Sequence, residues 1–251
     1  GRNMFRKMMS SLGIQGVTVE THLHNPTLQA GGTLEGEISF KGGSSDKEIN
    51  SLYLQLMTIA EVESGDHEFN QPLILDQWLI SSNFLLAAHQ SHHIPFTMQI
   101  PYETPITEVS CRRNGTRVWI NTHMDVDWGL DATDRDYLSV LPTPTMQVFL
   151  QAMQQCGFVL SSVDVEKGQL TARNFRSTIG CYQELEFVSS HLFSGFNEVE
   201  VSFVAEAHQT HVILEVDRTL RSDQLLTMTL PNQQLDVGQV TQQIRRLLKI
   251  G

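Results

Sequence analysis

Alternation of apolar and polar residues, repeated along most of the chain, restricts this sequence to an all-β fold. In residues 34–40, for example, leucine, glycine, isoleucine and phenylalanine at the even positions alternate with two glutamates and a serine. Successive side chains of a strand point to opposite faces, so a period of two is typical of a strand with one buried face. The pattern predicts strands at residues 17–23, 34–40, 49–62, 73–86, 94–100, 117–126, 137–140, 158–165, 181–188, 199–207, 211–216 and 225–230.

Turn-forming residues separate the predicted strands, as in residues 42–46, 64–66 and 114–115, and residues 207–210 predict a hairpin. Strands at such spacing, with no alternating helices, favour antiparallel sandwiches. A chain of 251 residues is long enough for two cores of ordinary size. We therefore predict one β-sandwich domain at residues 4–142 and a second, smaller one at residues 158–235.

A helical period interrupts the strands between the two predicted domains. Apolar residues fall at i, i+3, i+4 and i+7, at Met146, Phe149, Leu150 and Met153. Thr143 suits the N-cap, Pro144 suits the first helical position, and Gly157 suits the residue that ends a helix. We predict an interdomain helix at residues 144–156, within a connecting segment at residues 143–157. The alternative is a helix that belongs to the core of one domain.

The last segment, residues 236–251, also has a helical period and predicts an amphipathic terminal helix. Its apolar arc consists of Val237, Val240, Ile244, Leu247 and Leu248. Three basic residues, Arg245, Arg246 and Lys249, point away from this arc. We predict that the arc binds a partner, as a detachable interaction element. Packing against the second domain and docking on an anionic membrane surface are the alternatives.

Many short motifs, in chain order, resemble the bacterial sporulation-control protein family. They lie at residues 11–14, 19–21, 36–43, 54–56, 95–97, 101, 104–107, 122, 125, 129, 131, 134, 136, 157–158, 166–167, 183–187 and 215–218. The resemblance implies two arrestin-like antiparallel β-sandwich domains, a fold found in regulators and cargo adaptors. It also implies no enzyme activity, and a role that restrains or tunes entry into sporulation.

An acidic segment is the most unusual feature of the chain. It contains Asp125, Asp127, Asp131, Asp134 and Asp136. Because arrestin-like folds have a charged core at the domain junction, the resemblance favours an interdomain polar cluster in which these carboxylates pair with Arg135 and with Arg218, beside Asp217. Two alternatives remain open. The carboxylates could bind Ca²⁺ or Mg²⁺, which would make the chain a cation-regulated binding module, or they could cap turns and face water.

Histidine and cysteine residues elsewhere in the chain are candidates for metal-binding or catalytic groups. His22 and His24 could share a strand face and bind zinc, although no third ligand has a defined spacing. Cys111 lies beside Arg112 and Arg113, which could lower the pKa of its thiol. No G-x-S-x-G elbow, P-loop or G-x-G-x-x-G motif is present. We therefore predict no enzyme and no cofactor, with a carboxylate-dependent hydrolase as the weaker alternative.

Charge and cysteine content limit the partners and the compartment. A formal net charge of −11 disfavours nucleic acid. The three cysteines form no metal-binding spacing, which favours a reducing cytoplasm. No apolar run is long enough to predict a transmembrane segment. Residues 1–3, before Met4, are interpreted as an artificial remnant. We expect a cytoplasmic adaptor that binds unidentified proteins or a second copy of itself.

Overall fold

The computed structural model describes residues 16–191 and 194–251, and its elements are strands with two helices. The first half contains β1 (Thr18–Leu23), β2 (Thr27–Gln29), β3 (Thr33–Lys41), β4 (Lys47–Ser64), β5 (His67–Leu86), β6 (Ser91–Gln99), β7 (Arg113–Asn114), β8 (Val118–Val126) and β9 (Ala132–Leu141). The second half contains α1 (Pro144–Gln155), β10 (Phe158–Lys167), β11 (Cys181–Ser189), β12 (Phe196–Ala205), β13 (Gln209–Arg218), β14 (Gln224–Pro231) and α2 (Val237–Leu248). The predicted all-β class is confirmed.

Three sequence predictions fall on residues that the structure does not describe. They are the remnant at residues 1–3, the family motif at residues 11–14, and the start of the first domain at residue 4. They stay predictions.

The first half is a sandwich of two sheets. One sheet has the order β1-β3-β6, and the other has the order β5-β4-β8-β9-β2. Leu34 and Ile38 of β3 are fully buried, as are Leu52, Leu54 and Leu56 of β4. Because these positions are spaced by two or four residues, each strand turns one complete face into the shared core. The alternation in the sequence therefore identifies the inner face correctly.

The second half has one antiparallel sheet, in the order β14-β13-β12-β11-β10. Both helices pack beside it, and the Phe149 ring of α1 meets the Phe203 ring of β12 edge to face at 5.5 Å. This refines the expectation of a second sandwich, because α1 and α2 supply the layer that a second sheet would provide. A period-two pattern specifies that a strand face is buried, but it does not specify which element covers that face.

The ends of α1 follow from its sequence. The Thr143 hydroxyl accepts a hydrogen bond from the backbone N–H of Met146, 3.2 Å away, and Pro144 occupies the first turn. Gly157, with φ of +87°, takes the left-handed conformation after Cys156, the C-cap. The helix at residues 144–155 is one residue shorter than predicted.

The two halves are also connected through strand pairing. β10 pairs in parallel with β7 at Ser162 and Val163, and with β4 at Glu166, opposite Glu61. These few pairs join the strands of both halves into one path. The domain boundaries near residues 142 and 158 stay a prediction.

Sequence periodicity missed the least regular strands. β2 and β7 were not predicted, because two or three residues cannot display a period. β5 begins at His67 and β9 begins at Ala132, several residues before the predicted starts. Backbone pairing with β4 extends β5 through mainly exposed residues, and pairing with β8 extends β9 through Asp134 and Asp136, whose polar side chains occupy inward-facing positions, so apolar alternation is lost in both segments. The predicted hairpin after Ala205 is confirmed, since Ala205 pairs with Thr210.

Candidate binding surfaces

The acidic segment lies on β8, on β9 and in the turn between them, and local hydrogen bonds hold its first part. Asp131 Oδ1 accepts a 3.0 Å hydrogen bond from the backbone N–H of Val126, and Asp131 Oδ2 lies 2.9 Å from His123 Nε2. Asp125 Oδ1 accepts a 3.3 Å hydrogen bond from the Asn50 side chain. These contacts agree with the turn-capping hypothesis.

Asp134 and Asp136 lie inside the first half, where β9 approaches β1. Asp134 is buried, and its Oδ2 accepts a 2.7 Å hydrogen bond from the backbone N–H of Thr21. Asp136 is on the same face of β9, two residues away. Burial, followed by the charge of Asp134 and a hydrogen bond with it, raises the pKa of Asp136 to about 8. Asp134 therefore links the two sheets of the sandwich, and Asp136 is a partly buried neighbour of it.

The structure does not form the predicted interdomain cluster around Arg218. Arg218 Nη2 donates a 2.7 Å hydrogen bond to the carbonyl oxygen of Leu248, and its guanidinium carbon lies 4.7 Å from the centre of the Phe196 ring. Asp217 Oδ1 accepts a 3.2 Å hydrogen bond from Asn197. Strands β12, β11, β10, β4 and β8 separate β13 from β9 in the sheet path. Arg218 is placed instead against α2, whose last carbonyls lack partners within the helix.

The cation hypothesis for the acidic segment is not supported by its geometry. Within the described part of the chain, the carboxylates that bring three ligand atoms within 4.8 Å of one another belong to Glu186, Glu198 and Glu200, outside this segment. Asp127 lies at the turn, where its backbone N–H donates a 2.9 Å hydrogen bond to the Glu48 carbonyl oxygen. Within the described residues, the aspartates of the β8–β9 hairpin therefore do not bring three ligand atoms together.

The predicted nucleophile and zinc sites also lack a suitable setting. The rings of His22 and His24 do meet, at 5.6 Å, but no third ligand joins them among residues 16–191 and 194–251. Burial raises the pKa of Cys111, contrary to the expectation from its arginine neighbours. Burial likewise raises the pKa of Cys156, and that of Cys181 to about 12. Each thiol is therefore less acidic than a free cysteine, which lowers the fraction of reactive thiolate.

The terminal helix α2 is part of the core of the second half, which corrects the prediction of a detachable partner-binding arc. Val240, Ile244 and Leu248 are buried, and the partly buried Leu247 packs against the same core. Val237 is half-buried at the first turn. The Thr241 hydroxyl lies 3.3 Å from the Gln155 side chain of α1. An amphipathic helix beside an apolar sheet buries its arc locally, since this is the nearest surface.

The outer face of the larger sheet in the first half carries two rows of mainly apolar or aromatic residues, one on each side of a polar row. Strand register places Ile74, Met57, Trp119 and Tyr137 in the first row, and Leu79, Tyr53, His123 and Thr133 in the second. Between them lie Gln77, Gln55, Asn121 and Arg135. The three amide side chains form a chain of two 2.9 Å hydrogen bonds. This surface is named the outer face below.

The sequence contains a signal for the outer face that the period-two pattern does not capture. Residues 52–59 are apolar at nearly every position instead of alternating. Leu52, Leu54 and Leu56 face the core, so Tyr53 and Met57 must face outward. A strand that is apolar on both sides either lies between two layers or presents a binding surface.

The edge of this sheet is also open. β5 is 20 residues long and pairs with β4 alone in the described part of the chain. Ile74 is 52% exposed and Leu79 is 65% exposed, and Phe69 and Leu85 are also exposed. A long edge with unpaired backbone groups and apolar side chains is a template for strand addition.

The outer side of the second sheet is acidic. Glu184, Glu186, Glu198, Glu200 and Glu215 lie on three neighbouring strands, and Glu186 is directly opposite Glu200. Burial, followed by the charges of Glu200 and other carboxylates, raises the pKa of Glu184 to about 8. Burial and the charge of Glu215 raise the pKa of Glu200 to about 7. These raised pKa values indicate that carboxyl groups here are poorly compensated.

Comparison with known proteins identifies the class of protein. The family model described as "SpoOM protein" matches residues 5–220, and the chain belongs to this sporulation-control family. It is 28% identical over 221 residues to "Sporulation-control protein spo0M" of Bacillus subtilis (strain 168), covering 87% of this chain and 82% of that protein.

A solved structure confirms the fold. The crystal structure of Spo0M from Bacillus subtilis matches with a TM-score of 0.82 at 24% identity, covering 94% of this chain and 99% of that chain. The family resemblance read from the sequence motifs is therefore confirmed. In the described residues, neither helix has the length and apolar sequence needed to cross a membrane.

Proposed function

We propose that this chain is a non-catalytic cytoplasmic scaffold that acts by binding protein partners. The observation that carries the proposal is the open edge of β5, with its exposed apolar side chains Ile74 and Leu79. An extended segment of a partner can add to such an edge through backbone hydrogen bonds, while its side chains contact the apolar positions. The partner is another protein or a second copy of the chain.

The outer face supports the same proposal. Ile74, Leu79 and Tyr137 are its exposed apolar and aromatic residues, whereas Trp119 is buried, and the polar row between them supplies amide groups that can donate and accept hydrogen bonds. Aromatic residues and arginine are enriched at protein interfaces. The guanidinium carbon of Arg135 lies 4.9 Å from the centre of the Trp119 ring, so it already covers one face of that ring.

The chemistry of the chain supports binding over catalysis. The raised pKa values of the three thiols disfavour cysteine as a nucleophile. The net charge of −11 opposes binding to phosphates, so proteins are favoured over nucleic acids as partners.

Sporulation control is proposed from the name of the Bacillus subtilis relative. The test is complementation of a strain that lacks the relative. Restored timing and yield of spores would support this role for the chain. If the strain expresses this chain at the level of the missing relative and its sporulation defects are unchanged, the sporulation role is refuted. The scaffold proposal is tested separately.

The scaffold proposal is tested by charging the β5 edge. Ile74→Lys combined with Leu79→Lys places two cations on exposed positions, so the fold should be retained. The matched control, Leu130→Lys with Leu220→Lys, charges two exposed leucines elsewhere. Cross-linking in host cells followed by quantitative mass spectrometry measures the partners of each variant. Loss of partners with the β5 variant alone supports the proposal. If wild type and both variants cross-link the same partners in the same amounts, the β5 edge does not bind partners.

A further inference from the structure

A groove lies between α1 and β10, at the junction of the two halves, and nothing in the described chain fills it. Its volume is about 460 Å³, and it is lined by Val109, Leu150, Val159 and Leu160 together with polar residues. We infer that this groove binds an extended segment of a partner protein, which pairs with the open edge of β10 and carries apolar and basic side chains. The inference rests on the proposed function only in taking a protein as the ligand.

The edge of β10 explains why the ligand is an extended chain. On one side β10 pairs with β11 over its whole length. On the other side β7 pairs with Ser162 and Val163 only, so that, in the described chain, residues 158–161 have no strand partner there. Backbone N–H and C=O groups require partners, and at an open edge an added strand supplies them in the right geometry.

The walls of the groove define the side chains that fit. Val159 is 52% exposed on β10, and Leu150 of α1 is partly buried on the opposite wall. An apolar side chain between them would remove both from water, which stabilises the complex by about 25 cal/mol per Å² of buried apolar area. Gln151 and Gln154 of α1 line the same wall and can bond to the polar backbone of the ligand.

Glu108 defines the charge of the ligand. Among the described residues it is the one charged residue that lines the groove, it is exposed, and its carboxylate accepts a 3.3 Å hydrogen bond from the Thr107 hydroxyl. A lysine or arginine on the ligand would pair with this carboxylate. The net charge of −11 also favours the approach of a basic segment.

The groove is largely preformed, which reduces the entropy lost on binding. Phe149 anchors α1 to the second sheet through Phe203, and the N-cap of Thr143 fixes the start of the helix. The ligand therefore does not have to order either wall.

The test uses the purified full chain and a fluorescent peptide that alternates valine with lysine and threonine. Fluorescence anisotropy should give saturable binding, and Val159→Lys should weaken it at least about tenfold. Leu220→Lys is the matched control, because it charges a fully exposed leucine outside the groove and should leave affinity unchanged. Circular dichroism of each variant verifies the fold.

Two further comparisons separate the features of the ligand. A peptide with N-methylated backbone amides should lose binding, and Glu108→Arg should reverse the preference from a lysine peptide to a glutamate peptide. Equal binding of the methylated peptide would overturn strand pairing. No binding of any of these peptides up to about 1 mM would overturn the inference. Self-association that Val159→Lys abolishes would make a second copy the occupant and would also overturn it.

Failure here is distinguishable from failure of the scaffold proposal. The peptide assay leaves β5 unchanged, and the partner assay leaves the groove unchanged. If the β5 variant loses its partners and the wild-type chain binds no peptide, the scaffold proposal is supported and the groove inference is refuted.

Discussion

Arg218 closes the carboxyl end of α2, since its Nη2 donates a 2.7 Å hydrogen bond to the carbonyl oxygen of Leu248. The guanidinium group also stacks over the Phe196 ring of β12, with its carbon 4.7 Å from the ring centre. A cation at this end of a helix is favoured by the helix dipole. One side chain thus joins the sheet of the second half to the terminal helix.

Replacing Arg218 should therefore destabilise the second half. Arg218→Ala should lower the free energy of unfolding by about 1–3 kcal/mol, because it removes a charged hydrogen bond and the ring contact. Chemical denaturation measures the change. Arg221→Ala, at an exposed position three residues later, is the control and should change stability little. Equal stability of Arg218→Ala and wild type would show that this contact does not hold the helix.

Truncating the buried arc of α2 should have a larger effect. Ile244 is fully buried, so Ile244→Ala should lower the free energy of unfolding by about 2–5 kcal/mol through lost packing and a residual cavity. Gln243→Ala, on the exposed side of the helix, should be nearly neutral. Deletion of residues 236–251 should abolish the cooperative unfolding transition of the second half. An intact transition after this deletion would contradict the placement of α2 in the core.

The acidic side of the second sheet should make stability depend on pH. The pKa of Glu184 is raised to about 8 by burial and by neighbouring carboxylates, above its ordinary value of 4.5. Between these values the folded state binds more protons than the unfolded state, so this group makes the free energy of unfolding fall as pH rises. Glu184→Gln should flatten the decline between pH about 4.5 and about 8.

Denaturation of wild type and variant across this pH range measures the effect of Glu184. Glu68→Gln, an exposed residue on β5, is the matched control and should leave the pH profile unchanged. Parallel profiles for Glu184→Gln and wild type would show that Glu184 does not contribute to the decline.

Asp136, which lies inside the first half, should also make the free energy of unfolding depend on pH. Its pKa is raised to about 8 by burial and by Asp134, so its ionisation opposes folding as pH rises through this value. Asp136→Asn should become progressively more stable relative to wild type as pH increases from about 4 to about 8, and the difference should level off above about 8. Thermal or chemical denaturation at several pH values measures the difference. A difference that does not change with pH would contradict the assignment.

The strands and helix ends were predictable because their signals are local. Side-chain alternation around Leu34 and Ile38 follows from strand geometry alone, and β3 is found where the pattern predicts it. The caps of α1, at Thr143 and Gly157, depend on residues within one turn of the helix. Such features require no knowledge of distant parts of the chain.

The partners of individual side chains were not predictable, because they depend on elements far apart in sequence. Asp134 meets the backbone of Thr21, which is 113 residues away, and Arg218 meets α2 instead of the acidic hairpin. The sequence showed five carboxylates that required compensation, but the backbone of β1 satisfies Asp134 whereas the backbone of β8 satisfies Asp131.

By itself, the sequence determined the all-β class, the family, the two helices and the inner face of each strong strand. Periodicity and short motifs carry this information without reference to distant contacts. Only the tertiary structure decided that α2 covers the second sheet, that the edge of β5 stays open, and that Glu108 and Val159 line one groove. The physical reason is that an apolar arc requires burial and a strand edge requires hydrogen-bond partners, but neither specifies its partner. The partner is the surface that the folded chain brings close enough.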